Sequence, residues 1–486
     1  MEILNLPPYA PTLMESTRAI GYSLEAAVAD IIDNSIAANA HRVDLYFFPV
    51  GGEYVAIMDD GIGMSDSELN IAMQYGSKNP NDQRQADDLG RFGLGLKTAS
   101  LSQCRVLTVI TKQGGTINAR RWDLDYVAQS GEWSLLILDT AEMENVPHYS
   151  DLLQLDHGTL VVWQKLDRMK AGEINFEQAL GKKMDAVREH IALVFHRYIA
   201  GETGINKLKI VMNGATVAAA DPFLIKKSVQ AMDNEILSIH GKKITVTPYI
   251  LPHTSKLTSD EIKTLGGKEG LRRQQGFYVY RNKRLLVWGT WFRMMRQGEM
   301  SKLVRIKVDI PNALDDLWTL DIKKSSAIPP AEVRNNLRNI IDRMAERSKR
   351  TWTYRGKKET SDNITHMWNR LKTRQGGYIY EINREHPLIK AIIEKYPMQE
   401  GMIEILLQQI ETEIPLNALY LDLTNDEKIE NDKDKTVEEI LDLVRNILRD
   451  TDKDKQREVI NSIIFCEPFN ECADDIITAF DRGKLI

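Results

Sequence analysis

The chain has few of the features that mark secreted, membrane-spanning or zinc-dependent proteins. Its three cysteines, Cys104, Cys466 and Cys472, are too few and too scattered for a disulfide framework or a zinc site. The nine histidines show neither H-x-x-x-H nor H-E-x-x-H spacing, which argues against a zinc hydrolase. No apolar run reaches the roughly 18 residues of a membrane span, and Met1 to Pro11 lacks a basic region followed by an apolar core. We therefore predict a cytoplasmic protein with no structural metal and no membrane partner.

The composition is that of an ordinary globular protein, but its charge is unevenly distributed. Hydrophobic residues make up 43% and charged residues 27% of 486 residues, enough for about two to four domains. Residues 261–358 contain 23 Lys and Arg against 10 Asp and Glu, a net charge of +13. Since the whole chain carries −6, the remainder carries −19. An acidic average therefore conceals a basic segment.

Aromatic residues are interleaved with the charges of this basic segment. They are Phe277, Tyr278, Tyr280, Trp288, Trp291, Phe292, Trp352 and Tyr354. The mixture suits contact with a nucleic-acid backbone and some stacking on bases, which predicts DNA as a partner and steep salt dependence. The alternative is that the rings are strand core and the charges a solvated face that complements acidic neighbours.

The first of three informative stretches is Asp30 to Asn34 (DIIDN). It lies in Ser23 to Ala38, where apolar residues recur at helical spacing and leave Asp30 and Asn34 one turn apart on another face. A carboxylate can orient or deprotonate water, and an amide oxygen can hold a hard cation such as Mg²⁺. The alternative is a solvated helix face.

The second stretch is Asp59 to Met64 (DDGIGM), which follows the alternating strand Glu53 to Met58. Asp59 emerges from a buried strand and is a plausible acceptor for an exocyclic amine, which would select adenine over guanine. Gly61 and Gly63 let the backbone approach a flat ligand closely. After this turn, Ser65 and Glu68 match a capping box that begins a helix through Met73. Taken alone, the pattern also fits an ordinary turn.

The third stretch is Gly90 to Ser100 (GRFGLGLKTAS), whose glycines lead directly into the apolar helical pattern of Leu96 to Leu101. Backbone N–H groups at the start of a helix can bind phosphate, and Lys97 and Thr98 could add a charge and a hydroxyl. The spacing is not that of a P-loop, because Leu96 separates Gly95 from Lys97. A structural glycine turn is the alternative.

In order and spacing, the three stretches resemble the GHKL ATPases, which include gyrase, the ninety-kilodalton heat-shock chaperone, histidine kinases and MutL, and within them the MORC-like members. The resemblance covers about residues 1–340 and implies ATP and Mg²⁺ as ligands. Asn34 matches the Mg²⁺-holding asparagine, Asp59 the adenine-reading aspartate, and Thr159 the late threonine beside the adenine. Gly61, Gly63 and Met64 match the loop under the base. The phosphate-wrapping end of the lid is matched by Gly90, Arg91, Phe92, Gly93, Leu94, Gly95, Lys97 and Thr98.

Two departures from the family pattern concern catalysis. The family has a glutamate general base four residues before the asparagine, where this chain has Asp30, which is shorter by one methylene. The acidic residue three positions after the asparagine is replaced by Ala37. Glu25 is a weaker candidate base, because it lies about 140° around the helix from Asp30. These departures favour slow hydrolysis.

The motifs and patterns predict three domains. Residues 1–204 read as a GHKL α/β sandwich, a helix layer against a mixed sheet, with an N-terminal strap (Met1 to Tyr22) and a polar lid (Ser77 to Asp88). Residues 205–358, with strands such as Leu208 to Met212 and a helix at Pro329 to Arg350, resemble the transducer domain that follows the ATP fold in the family. By that likeness Lys324, or its neighbour Lys323, is the catalytic lysine that reaches the γ-phosphate; a surface lysine pair is the alternative.

The tail, residues 359–486, reads as a mainly helical interaction region. Pro387 to Glu394 and Glu438 to Arg449 have helical apolar spacing, and Asn425 to Lys435 is a charged linker. We predict that the tail is a docking or dimerisation module. The alternative is an ordinary helical bundle.

Two hypotheses about function follow from the resemblance. In the first, ATP and Mg²⁺ drive a slow switch that dimerises through its N-terminal domain and clamps DNA, as a component of defence against foreign DNA. In the second, a nucleotide-gated or chaperone-like scaffold with negligible hydrolysis recruits a protein partner such as a nuclease.

Overall fold

The computed structural model forms two compact units, residues 1–353 and 354–486. It describes residues 4, 6, 8–19, 21–76, 95–230, 234–267, 270–298, 301–314, 318–320, 327–353, 365–372, 378–416, 419, 436–449 and 451–485. The predicted lid, Gly90 to Leu94 of the glycine loop, and both lysines of the proposed phosphate sensor lie outside the described residues.

An eight-stranded mixed sheet is the frame of the first unit. Its strands are β1 (Arg42–Phe48), β2 (Tyr54–Asp59), β3 (Val106–Gln113), β4 (Thr116–Asp123), β5 (Leu136–Ile137), β6 (Gly158–Gln164), β7 (Lys209–Met212) and β8 (Ala215–Thr216). Their order is β5-β4-β3-β6-β2-β1-β7-β8, and only β1 and β7 pair in parallel. The strand Leu208 to Met212, which sequence analysis placed in the second domain, thus belongs to the first sheet.

Ten helices of the described residues accompany this sheet. They are α1 (Ala10–Arg18), α2 (Leu24–Ala37), α3 (Asp66–Met73), α4 (Gly95–Leu101), α5 (Leu124–Ser130), α6 (Thr140–Glu144), α7 (Tyr149–Leu153), α8 (Asp167–Lys170), α9 (Phe176–Val194) and α10 (His196–Ala200). The predicted capping box is present, because Ser65 and Glu68 bond each other's backbone N–H at the start of α3.

Apolar side chains fill both faces of the sheet. Val55 and Ile57 of β2 point into the core beneath α2, α4 and α9, whereas Ala56 and Met58 point into a smaller core beneath α6 and α7. A strand buried on both faces reads as a continuous apolar run. The predicted α/β sandwich is confirmed, and it carries an additional small layer of helices on its second face.

Helix α1, in the middle of the predicted strap, packs on its own chain. Arg18 is buried; its Nε donates to the carbonyl of Leu101 at the end of α4 (2.6 Å), and its Nη2 bonds Asp167 (2.6 Å). This helix is therefore tied to the helix that follows the glycine loop.

A second sheet of six strands follows along the chain. Its strands are β9 (Val229–Gln230), β10 (Glu235–Ile239), β11 (Lys242–Ile250), β12 (Gly276–Arg281), β13 (Arg284–Thr290) and β14 (Val304–Ile310). Helix α11 (Ser259–Gly266), a two-stranded pair β15 (Thr319–Leu320) and β16 (Ala327–Ile328), and the long helix α12 (Ala331–Thr353) complete this region. Helix α12 packs on the sheet through Val333, Leu337, Ile340 and Ile341, which share one helical face.

Most aromatic residues of the basic segment lie inside this second region. Phe277, Tyr278, Tyr280 and Trp291 are buried, so the prediction that they stack on nucleic-acid bases is wrong. The strand pattern places alternate rings in two cores on opposite faces of β12. The alternative reading, strand core, holds for these four rings.

The turn of the β12–β13 hairpin enters the first region. Asn282 and Lys283 both have positive φ (48° and 66°), as a tight two-residue hairpin turn requires. The Tyr198 hydroxyl donates to the carbonyl of Asn282 (2.6 Å), and Lys283 pairs with Glu202 (2.7 Å). Next along the hairpin, Arg284 reaches helix α2.

Arg284 and Asp33 form a buried ion pair between the two regions. The Arg284 Nε donates to both carboxylate oxygens of Asp33 at 3.2 Å, and the side chains are 5% and 2% exposed. Both charges would be strongly unfavourable in this environment without each other. The pair therefore fixes helix α2 against the hairpin.

The second unit is mainly helical, as predicted, but it also contains a hairpin. Its elements are β17 (Trp368–Lys372), β18 (Tyr378–Ile382), α13 (Pro387–Lys395), α14 (Glu400–Thr412), α15 (Val437–Arg449), α16 (Gln456–Ile463) and α17 (Ala473–Asp481). Helices α15, α16 and α17 share one core. Among the residues that the structure describes, no helix is both long and apolar enough to cross a membrane.

The buried ion pair yields a stability prediction. Arg284→Met should lower the free energy of unfolding by about 3–5 kcal/mol, because it leaves the Asp33 carboxylate buried without its partner. Arg284→Met combined with Asp33→Asn should recover most of this loss. Urea unfolding followed by tryptophan fluorescence measures both.

Lys283→Met is the matched control, since the Lys283–Glu202 pair is about one-third exposed (32% and 37%). Its effect should stay below about 1 kcal/mol. Equal losses for Lys283→Met and Arg284→Met would contradict this account of the buried pair.

Candidate functional site

Helix α2 brings the first and third motifs together. Asp30 is buried, whereas Asn34, one turn later, is exposed. The Tyr22 hydroxyl donates to Asp30 Oδ2 (3.2 Å). Gly95, the first residue of α4, lies so close that a Cβ added to it would stand 3.5 Å from the same oxygen. The start of α4 therefore abuts the predicted base, although 65 residues separate them in the sequence.

Asp59 ends strand β2 as a buried carboxylate surrounded by neutral donors. Its Oδ2 accepts from the Ser35 hydroxyl (2.7 Å) and its Oδ1 from the Gly61 N–H (3.0 Å). Burial raises the pKa of Asp59 to about 6, while the bonds from Ser35, Gly61 and the backbone of Thr159 act in the opposite direction. Asp59 is therefore an acceptor that is largely ionised at pH 7.

The loop after Asp59 approaches neighbouring backbone closely at its two glycines. Gly63 has φ +70°, and a Cβ there would stand 2.1 Å from the carbonyl oxygen of Lys112. A Cβ on Gly61 would lie 2.8 Å from that of Ala38. Only glycine fits Gly63, and Gly61 leaves almost no space for a larger residue. The tight turn predicted from the glycine spacing is present.

Threonines hold this loop from the strand beside it. The Thr111 hydroxyl accepts from the Met64 N–H (2.8 Å) and lies 3.3 Å from the Thr159 hydroxyl. Thr159 stands opposite Asp59 in the β2–β6 register. Met64 and Thr159, predicted from separate stretches, are thus joined through the Thr111 hydroxyl, which the sequence analysis missed.

Lys97 and Thr98 lie in α4, and both are buried. The Lys97 ammonium donates to the carbonyls of Ala72 (2.9 Å) and Gln74 (2.8 Å) at the end of α3. In this arrangement it satisfies carbonyls left over at a helix C-terminus. The role of Lys97 as a phosphate ligand stays a prediction, and in the structure its ammonium bonds these carbonyls.

Four side chains of the site carried no sequence signal strong enough to identify them. The contacts of Asp33, Ser35 and Thr111 are with residues far along the chain, whereas Tyr22 contacts Asp30 from just before the same helix. A single serine or threonine in an apolar element gives no periodic pattern that marks such a role. Glu25, the weaker candidate base, lies near enough to His190 of α9 to influence its pKa, on the α9 side of the helix.

The arrangement fits an adenine nucleotide. A buried carboxylate beside a tight loop with glycines at positions 61 and 63 offers an acceptor for the amine of a base. Asp30 and Asn34, the predicted water-orienting and cation-holding groups, lie on the neighbouring helix. An α/β sandwich that carries these motifs in this order is typical of the GHKL class of ATP-binding proteins.

Comparison with known proteins agrees with that class. Residues 22–159 match the family described as histidine kinase-, DNA gyrase B- and HSP90-like ATPase. The part of the chain that contains the three motifs is therefore similar to the GHKL ATPases.

The relatives share short segments with this chain. It is 30% identical over 95 residues to the ATPase morc-1 of Caenorhabditis elegans and 31% identical over 98 residues to the ATPase MORC2 of Homo sapiens. It is 26% identical over 95 residues to the DNA mismatch repair protein MutL of Rickettsia felis. Each match covers 19% of this chain, and the matches span 11%, 9% and 16% of the respective relatives' lengths.

The buried carboxylate predicts an unusual effect of pH on stability. The pKa of Asp59 in the folded protein, about 6, lies above the ordinary value of 3.8. The stabilising contribution of its protonated form is therefore complete below about pH 4 and is lost as pH rises through 6. Asp59→Asn should leave nucleotide-free stability near pH 4 almost unchanged and raise it by up to about 3 kcal/mol at pH 7.

Denaturant unfolding at several pH values measures this difference. Asp60→Asn is the matched control, because the Asp60 carboxylate accepts from the backbone N–H groups of His41 and Arg42 at the rim of the site. A gain at pH 7 for Asp59→Asn that is equally large at pH 4 would exclude titration of Asp59 as its cause.

Proposed function

We propose that this protein is an ATP-dependent conformational switch that hydrolyses ATP slowly. The observation that carries the proposal is the buried Asp59 acceptor beside the Gly61–Gly63 loop, held by Ser35 and Thr111. In this reading Asp59 reads the adenine amine, and the loop lies under the base. Thr159 closes the same end of the pocket.

Asp30 would serve as the general base for the attacking water. It stands next to Gly95 at the start of α4, the end of the pocket where the phosphates would lie. Asn34, exposed one turn further along α2, would hold Mg²⁺. When bound, Mg²⁺ neutralises phosphate charge. An aspartate reaches less far than the family's glutamate, which supports a low rate.

Release of inorganic phosphate tests this assignment. The wild-type protein with Mg²⁺ should turn over slowly, and Asp30→Ala should abolish turnover while retaining ATP binding, because it removes only the base. Asp59→Asn should weaken ATP binding by about tenfold or more, the opposite sign to its effect on stability.

Glu25→Ala is the matched control, since Glu25 begins the same helix and should leave turnover unchanged. Turnover that survives Asp30→Ala would place the base elsewhere. Unchanged ATP affinity in Asp59→Asn would contradict the adenine-reading role.

The alternative function is a nucleotide-gated scaffold that binds ATP without hydrolysing it. Asp30 and Ala37, in place of stronger family groups, favour this alternative. Absence of turnover under every condition, with ATP binding intact, would support it. A nuclease or other partner, and a role in defence against foreign DNA, are proposals that rest on likeness to MORC-type proteins.

We propose that the protein dimerises through its first domain. The second region would report whether ATP or its hydrolysis product is bound. Lys324, which lies outside the described residues, is the proposed sensor of the γ-phosphate. The buried Asp33–Arg284 pair supports coupling of the two regions, because Asp33 lies between Asp30 and Asn34 on α2.

DNA is the proposed partner of the second region. Some of its basic side chains are buried and so cannot contact DNA; these include Arg281, Arg284, Lys302 and Arg305. Exposed arginines remain near the end of β13 and on α12, including Arg293, Arg296 and Arg338. Arg334 of α12 reaches the carbonyl of Phe292, so these groups share one part of the surface. Backbone phosphates are the chemistry that such a patch suits.

Charge reversal tests this surface. Arg293→Glu combined with Arg296→Glu should weaken binding to a duplex DNA of arbitrary sequence about tenfold or more and reduce the slope of log affinity against log salt. Fluorescence anisotropy at several salt concentrations measures both quantities.

Lys207→Glu combined with Lys209→Glu, two exposed lysines of the first region, is the matched control and should have little effect. DNA binding that is absent in the wild type with and without ATP would refute the DNA proposal and leave the ATP proposal intact.

A further inference from the structure

A phenol outside the three motifs contacts the predicted base directly. Tyr22 is buried immediately before helix α2, and its hydroxyl donates to Asp30 Oδ2 at 3.2 Å. We propose that Tyr22 is a positioning residue for hydrolysis, which holds the Asp30 carboxylate in the orientation that activates water. The inference rests on the proposed ATPase function.

Tyr22 is itself anchored by the helix that follows the glycine loop. Its carbonyl accepts from Gln103 Nε2 (3.1 Å), just beyond the end of α4. The Gln103 amide also donates to the Ser102 hydroxyl (2.8 Å), which in turn donates to the carbonyl of Ala99 (2.6 Å). The backbone of Tyr22 is therefore held by the residues that directly follow α4, and Ser102 ties those residues back to the helix.

Both ends of α4 are connected to the Asp30 carboxylate. At one end of α4, Gly95 lies beside Asp30 Oδ2; at the other end, Gln103 holds Tyr22, whose hydroxyl returns to the same oxygen. A displacement of α4 would change both neighbours of this oxygen together. The orientation of the carboxylate is thus linked to the element in which the phosphate-wrapping sequence ends.

Asp30 has a particular need for such a contact. An aspartate has one rotatable bond fewer than a glutamate and cannot reach a displaced water by extending, so the direction of its carboxylate must be set by its neighbours. A hydroxyl that donates to a carboxylate forms a charge-assisted hydrogen bond with a preferred direction. At 3.2 Å the bond is longer than usual, which leaves room for it to shorten when ligand is bound.

Tyr22→Phe removes the hydroxyl and keeps the ring. We expect kcat for ATP hydrolysis to fall about tenfold or more, with the dissociation constant for ATP unchanged, because only the base is misdirected. Phosphate release and equilibrium nucleotide binding measure the two quantities separately.

Tyr278→Phe is the matched control. Tyr278 is also buried, and its hydroxyl donates to the carbonyl of Gln274 at 2.7 Å in the second region, away from the site. It should lose a comparable hydrogen bond without changing kcat. A fall in kcat of equal size in both variants, or an unchanged kcat in Tyr22→Phe, would overturn the proposal.

A double-mutant cycle tests the contact without turnover. The shift in urea midpoint caused by Tyr22→Phe should be smaller in the Asp30→Ala background than in the wild type, because the acceptor is already gone. Equal shifts in both backgrounds would overturn the proposal, whatever the kinetics.

The ATPase function and the role of Tyr22 can be refuted separately. A wild-type protein that binds ATP without any turnover overturns both the hydrolysis and the role of Tyr22, even if the cycle shows coupling. A wild-type protein that hydrolyses ATP while Tyr22→Phe retains full kcat overturns the role of Tyr22 alone.

Discussion

The buried ion pair between Asp33 and Arg284 is the constraint on which the first unit depends. A carboxylate and a guanidinium removed from water must meet in good geometry, because either charge alone in that environment is strongly unfavourable. Helix α2 is therefore a shared element. One part of its surface carries Asp30 and Asn34, and another receives the β12–β13 hairpin. The orientation of the nucleotide site and the docking of the second region cannot be set independently.

The burial of the Asp59 carboxylate is a second constraint on the first unit. Its carboxylate is buried among donors that are all neutral, so burial outweighs the hydrogen bonds and the pKa rises. A buried carboxylate of this kind lowers the stability of the protein without nucleotide. In the proposed function it would accept a hydrogen bond from the adenine amine, with little competition from water. The loop at Gly61 and Gly63, held by Thr111, lies beside this carboxylate, where the proposed adenine would bind. Stability and ligand recognition thus make opposite demands on one residue.

The sequence predicted local features well and long-range ones poorly. The ranges of α2, α3 and the main strands follow from apolar periodicity and from the Ser65–Glu68 capping box, which depend on neighbouring residues alone. The sheet membership of β7, the small helical layer on the second face, and the burial of Tyr278 and Trp291 were not predictable in this way. Alternation along a strand shows that a side chain is buried or exposed, but it does not identify the element that covers it. The lid and Lys324 stay predictions.

By itself, the sequence determined the element types, the class of the nucleotide domain and the identities of Asp30, Asn34 and Asp59. These follow from motifs whose chemistry lies within a few residues. The tertiary structure alone decided the partners of those residues: Tyr22 on Asp30, Ser35 and Thr111 around Asp59 and its loop, and Arg284 on Asp33 across 251 positions. The pairings of Asp33, Ser35 and Thr111 arise from the closure of long loops around a packed core, and no local periodicity records them.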